Sequence, residues 1–167
     1  RQLQLIRPTP SLYPIAMTVV VTVDVEADDD EAERAAVIRE AAKIASAFDE
    51  ELHVVHVLSQ SRFRDLELDS VEDTGKTIEM DVIRDVARDI ADEAASGVVE
   101  AYTPVGLVGS ADDEIVKYAK RQDASYVVLG GKRRSAVGKT LFGSVTQSVL
   151  LNALMPVLTV PPEDADA

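Results

Sequence analysis

The chain has 167 residues, no cysteine and a formal charge of −13. This length suits one domain with its own core, and the missing cysteine excludes disulfides, thiolate metal sites and cysteine nucleophiles. The acidic balance works against nucleic-acid and anionic-membrane partners.

Hydrophobic residues make up 46% of the chain, enough to fold. No apolar run approaches the ~20 residues of a membrane span. Few Lys, many Asp and Glu, and abundant Ala and Val suit the solvated surface of a salt-adapted cytoplasmic protein. An ordinary acidic protein would share that composition.

Residues 1–16 hold Pro8, Pro10 and Pro14 and show no helical or strand period. They lack the cationic start and apolar run of a secretory signal. Met17 reads as the native start, and 1–16 as an extension or leader outside the domain. The alternative is an arm that packs on a partner.

Thr18–Val23 is a β-branched run, apolar on both faces, as a buried parallel strand requires. Asp28–Asp30 offers a helix cap and first-turn charge. Val37, Ala41, Ile44 and Phe48 then share a helical face. Leu52–Leu58 is a second strand, and Ser59–Thr74 is charged enough to read as a long loop. From Thr77, Ile78, Val82, Val86 and Ile90 predict a second helix buried through those residues and ending near Gly97.

Val98–Thr103 is the expected third strand, followed by a turn over Pro104–Gly109. Ser110 with Asp113 resembles a capping box for a third helix buried through Ile115, Val116 and Ala119. Ser125–Leu129 is a fourth strand and Gly130–Phe142 a basic loop. Gly143-Ser144 opens a fourth helix, with Val145 and Val149 one turn apart. Pro156–Val160 is the last strand, stopped by Pro161-Pro162. Residues 17–161 thus form the domain and 162–167 an acidic tail.

Five strands alternating with helices predict a parallel α/β sheet with right-handed crossovers and helices on both faces. Ligands of such sheets sit beyond the carboxyl ends of the strands. The chemistry-bearing stretch lies there, from Gly130 to Thr146. A helix opening on Gly143-Ser144 offers free N–H groups and a positive dipole end to an anion. Gly130 gives the strand end freedom to turn. Lys132, Arg133, Arg134 and Lys139 reverse the local sign of charge. These residues leave two readings open: an anion site, or a basic loop paired with the protein's own carboxylates or a partner subunit. Gly138-Lys139-Thr140 ends like a P-loop, but Arg133 stands where that motif needs glycine.

His53 and His56, three apart on a strand, point to opposite faces and cannot share a metal. Asp28–Asp30 is a cap before it is a Mg²⁺ site. No Ser-His-Asp arrangement supports nucleophilic catalysis. A receiver-like phospho-acceptor domain would need an acceptor Asp and a Lys at strand ends where Thr103 and Pro161-Pro162 stand.

The stretch Gly106–Val160 resembles the universal stress proteins. Their fingerprint is Gly, two residues, Gly, nine residues, then Gly-Ser or Gly-Thr; here Gly130 takes the first place and Gly143-Ser144 the last. VVVTVD and HVVHV are similar to the family's opening strands, so the resemblance runs from Met17 to Val160. It implies a three-layer, doubly wound five-stranded parallel sheet of the adenine nucleotide alpha hydrolase type, strand order 3-2-1-4-5. It further implies a cytoplasmic stress-response protein that binds an adenine nucleotide, ATP with Mg²⁺, as a conformational or partner switch, with slow hydrolysis at most. Asp24 would contact ribose or adenine, and Val57 would meet adenine through its backbone. Gly130, Gly143, Ser144 and Val145 would surround the phosphates, with Lys132 and Arg133 beside them. A homodimer through Pro156–Val160 follows from the same resemblance. Arg133 replaces the fingerprint's second glycine, which keeps a dimeric interaction module without nucleotide as the alternative.

Overall fold

The computed structural model describes residues 17–25, 31–134 and 140–162, with the side chains of 132–134 and 140–141 left outside that description. The extension 1–16, the Asp28–Asp30 triplet and the tail from 163 onward therefore fall outside it.

β1 (Thr18–Thr22) is the centre of the fold. Val19, Val20 and Val21 are fully buried on both faces, so this run of β-branched residues must be an inner parallel strand. It pairs in parallel with β2 (Glu51–Leu58) on one side and β4 (Tyr126–Gly130) on the other. β3 (Thr103–Val108) and β7 (Val157–Val160) complete the edges, giving the order β3-β2-β1-β4-β7. Taking β7 as the fifth strand, this is the expected 3-2-1-4-5 sheet. A short antiparallel pair, β5 (Lys132–Arg134) and β6 (Thr140–Leu141), lies within the stretch expected to be a loop.

Helices cover both faces. α1 (Glu31–Phe48) and α3 (Met80–Ala95) share one core with Val19, Val21 and Val54. α4 (Ala111–Arg121) and α5 (Ser144–Asn152) enclose the other with Val20, Val55 and Val127. Between these two faces His53 and His56 separate as expected: His53 Nδ1 lies 2.7 Å from the Tyr118 hydroxyl on α4, while His56 Nδ1 lies 3.0 Å from the Val23 carbonyl. Burial raises the Tyr118 pKa above 10.0, with Glu51 adding to the rise and the nearby Arg121 guanidinium opposing it.

Several sequence expectations are corrected. The stretch taken for a loop after β2 is a helix, α2 (Gln60–Thr74), with Ser59 as its N-cap and Gly75 in the left-handed region at its end. Its pattern is weak because none of its residues is fully buried; Phe63 and Leu66 only partly pack against Leu58 and Ile83. α3 buries Ile83, Ala87, Ala91 and Ala95, while Val82 and Val86 face outward. Small residues win that face because α3 presses on Gly106 of β3. A Cβ there would stand 2.0 Å from the Arg84 carbonyl oxygen.

The third strand begins at Thr103, and the expected turn over Pro104–Gly109 is mostly strand. Pro104 is tolerated because β3 is an edge. The Gly109 N–H donates to the Leu58 carbonyl, so alternation turns the Pro104 nitrogen away from β2 and the ladder loses no bond. On α1, Phe48 is exposed rather than buried and stacks on Tyr126 at 5.9 Å. Ser110 does not close a capping box: its hydroxyl donates to Asp112 at 2.6 Å instead of capping a backbone N–H. Tyr118 joins Ile115 and Ala119 in the buried face of α4, and Val116 is only partly buried.

Candidate functional site

The chain leaves the central strands in opposite directions, since β1 leads outward to β2 and β3 while β4 leads to β7. Crossovers that diverge in this way open a crevice at the carboxyl ends of the strands. A cleft of about 300 Å³ lies there. The ends of β1, β2 and β4 form its floor. The first turns of α1 and α5 and the start of α4 form its walls.

Six of the sequence-predicted residues come together in this cleft: Asp24, Val57, Gly130, Gly143, Ser144 and Val145. Lys132 and Arg133 lie on β5, directly after the cleft residue Gly131, and their side chains fall outside the described residues. The same holds for the charge reversal that they, Arg134 and Lys139 create in the sequence.

Each wall has a local cause. Gly143 is the N-cap of α5 at φ −68° and ψ 168°, with no side chain to cap the helix. The first N–H groups of a helix have no acceptor within it. Here those of Ser144, Val145 and Thr146 belong to residues that line the cleft. The positive end of the α5 dipole points the same way. Gly130 serves a purpose other than the expected freedom to turn. Its backbone is not in the left-handed region, but a Cβ would come within 3.3 Å of the Val37 methyl on α1. Glycine is there for close approach of helix to strand.

On the β2 side the site is made of backbone. The Val55 carbonyl accepts from the Val23 N–H at 2.9 Å, and the Leu58 carbonyl accepts from Gly109 at 3.0 Å. Alternation therefore directs the N–H and C=O of Val57 toward β1. β1 ends at Thr22, and among the described residues no rung joins Val57 to Val23. Val57 thus presents an adjacent donor and acceptor at the cleft.

Sequence reasoning missed Arg34, Glu33 and Thr22, which also line the cleft, along with Thr146 and His56. Arg34 was findable: it sits in the first helical turn after the opening strand, where α/β ligands meet a helix. Thr146 closed the stretch singled out as chemistry-bearing and His56 was weighed only as a metal ligand, so neither was given a place in the site. Asp112, beside the cleft residue Ala111, has its pKa held below 3.8 by the Ser110 hydroxyl first and the Ser148 hydroxyl next. The Ser148 Oγ donates to Asp112 Oδ2 at 2.6 Å and ties α5 to α4. Among the described residues no group of three or more His, Asp or Glu side chains could hold a metal ion, and no helix is long and apolar enough to cross a membrane.

The doubly wound sheet with a crevice at its switch point defines an α/β protein of the Rossmann-like adenine nucleotide alpha hydrolase fold. Residues 17–161 match the universal stress protein family, and the chain belongs to it. A universal stress protein of Methanocaldococcus jannaschii is 27% identical over 122 residues, covering 73% of this chain and 71% of its own. The structure of a universal stress protein from Archaeoglobus fulgidus is similar at 31% identity and a TM-score of 0.55, covering 86% of this chain and 97% of that one. A structure of the Archaeoglobus fulgidus universal stress protein in complex with dAMP matches at 29% identity and a TM-score of 0.52, covering 87% and 98%.

Proposed function

We propose that this universal stress protein binds an adenine nucleotide in the cleft between β2 and α5. The observation that carries the reading is the pairing of two complementary walls. Val57 offers a backbone N–H and C=O side by side, which suits the N1 and 6-amino edge of adenine. Gly143, Ser144 and Val145 open α5, whose first N–H groups have no acceptor within the helix and whose dipole end is positive, which suits phosphate. Asp24, on the rim between them, suits a ribose hydroxyl. Lys132 and Arg133 would add charge to the phosphates from β5. The dAMP complex of the Archaeoglobus fulgidus relative supports an adenine ligand.

ATP with Mg²⁺ is the form we assign, acting as a conformational or partner switch with slow hydrolysis at most. The setting is a cytoplasmic stress response, in a salt-adapted cell to judge from the −13 charge. The switch would work in a homodimer joined through β7, before which Leu151 on α5 is 85% exposed and Leu154 76%. One observation favours the second reading, a dimeric interaction module without nucleotide: Arg133 holds the place of the fingerprint's second glycine.

Calorimetric titration with ATP and Mg²⁺ at high salt tests the choice, with Gly143→Glu as the paired variant. Binding by the parent and loss in the variant are expected. No heat from the parent sinks the nucleotide reading, and equal heat from both sinks the placement of the phosphates.

A further inference from the structure

We propose that His56 is a positioning residue of this cleft: it takes the ladder partner of Val57 and so keeps the Val57 edge open for the base. The proposal rests on the adenine-nucleotide reading and names what makes the base wall available.

A regular parallel ladder would continue past Val55 with the Val57 N–H donating to the Val23 carbonyl. That carbonyl instead receives His56 Nδ1 at 3.0 Å. A carbonyl can only accept, so Nδ1 carries the hydrogen. The side chain of one β2 residue thus occupies the acceptor that its chain neighbour would use. Val23 keeps its own rung to the Val55 carbonyl, so the two strands part only beyond it, where Asp24 stands on the rim.

The other ring nitrogen shows that packing does not explain the histidine. His56 is 2% exposed, yet Nε2 is buried with no hydrogen-bond partner among the described residues. Unpaired buried polar atoms cost stability, and an aliphatic side chain would fill this place without that cost. A residue that costs stability at the edge of a site has the signature of a functional constraint.

Three variants separate the roles. In His56→Asn the amide nitrogen can stand near Nδ1, so the donor to Val23 is kept. In His56→Gln it reaches toward the place of Nε2, and in His56→Leu the donor and the acceptor are both gone. Each is titrated with ATP and with purine riboside triphosphate, which lacks the 6-amino group. His56→Asn should bind ATP close to the parent. His56→Leu and His56→Gln should bind about tenfold more weakly, the value of one well-placed hydrogen bond, and should lose the preference for ATP over the purine analogue. The melting temperature of His56→Leu without nucleotide should equal or exceed the parent's. Amide hydrogen exchange reads the same device without ligand: Val57 should exchange faster than Val55 in the parent and become protected in His56→Leu as the rung to Val23 closes.

Unchanged ATP binding and preference in His56→Leu overturn the proposal. So does a loss of binding that tracks a loss of melting temperature with no rescue by asparagine, and so does a Val57 amide as protected as Val55 in the parent. A parent that binds neither nucleotide overturns the adenine reading, and the exchange measurement then still decides whether His56 holds the rung open.

Discussion

Gly106 meets Arg84 without room for a methyl group: a Cβ on the strand residue would stand 2.0 Å from the helix carbonyl oxygen. The next obstacles are the Arg88 nitrogen and the Ala87 carbonyl carbon, also backbone. A side chain could swing aside; a helix backbone cannot.

Gly106→Ala should therefore push α3 off the sheet and loosen Ala87, Ala91 and Ala95 together. We expect a loss of about 3 kcal/mol, the upper range for overpacking, and a melting temperature lower by roughly 6–12 °C. Val86→Lys, on the outward face of the same helix, should change stability by less than about 0.5 kcal/mol. Differential scanning calorimetry of the two variants checks both. A costly Val86→Lys with a harmless Gly106→Ala would restore the face that hydrophobicity alone suggests.

Asp112 links the start of α4 to the middle of α5. It accepts from Ser110 and from Ser148, each at 2.6 Å, and these donors stabilise its charged form. A folded pKa below the usual 3.8 means that the stabilisation is fully present above 3.8 and is lost as pH falls through the lower folded value. Asp112→Asn should cost on the order of 1 kcal/mol or less at neutral pH, given the partial solvent access of the group. The gap to the parent should shrink as pH drops below 3.8. Thermal melts across that range check it; a gap that widens in acid would contradict the assignment.

Leu151 near the end of α5 and Leu154 just after it are strongly exposed, while Leu158 on β7 is 40% exposed. In the dimer proposed through β7 they would be covered. Leu151→Glu together with Leu154→Glu should halve the mass seen by light scattering at high salt, because two buried charges per copy cannot be paired there. A parent that is already monomeric, or a variant of unchanged mass, would remove β7 as the joint.

The readable parts of this chain are those where side-chain identity and position agree. Val19–Val21 can only be an inner strand, and the alternation of elements leads to a parallel α/β sheet, whose strand order the family resemblance implies. Two of the failures share one physical source: backbone geometry outranked hydrophobicity. Val82 and Val86 are more apolar than alanine, yet Ala87, Ala91 and Ala95 take the buried face beside Ile83 because the helix must lie close on Gly106. Pro104 and Gly106 look like a turn and sit in a strand, because an edge strand can do without one outward donor and a tight helix contact needs glycine. α2 carried two correct punctuation marks, Ser59 and Gly75, around a segment with no buried residue to give it a period. The cleft divides in the same way. Gly143-Ser144 announces a helix start, whereas Val57 contributes through backbone direction, and its consequence appears only once the point where β1 ends is known.

Pro104 has a further consequence beyond its own strand. It deletes an N–H from the outward side of β3, so that border of the sheet is a poor template for another chain. The opposite border, β7, keeps its donors. A sheet that can be extended from one side only cannot grow into a fibre. If two copies meet there by symmetry, each uses up the other's open side, and assembly halts at a pair.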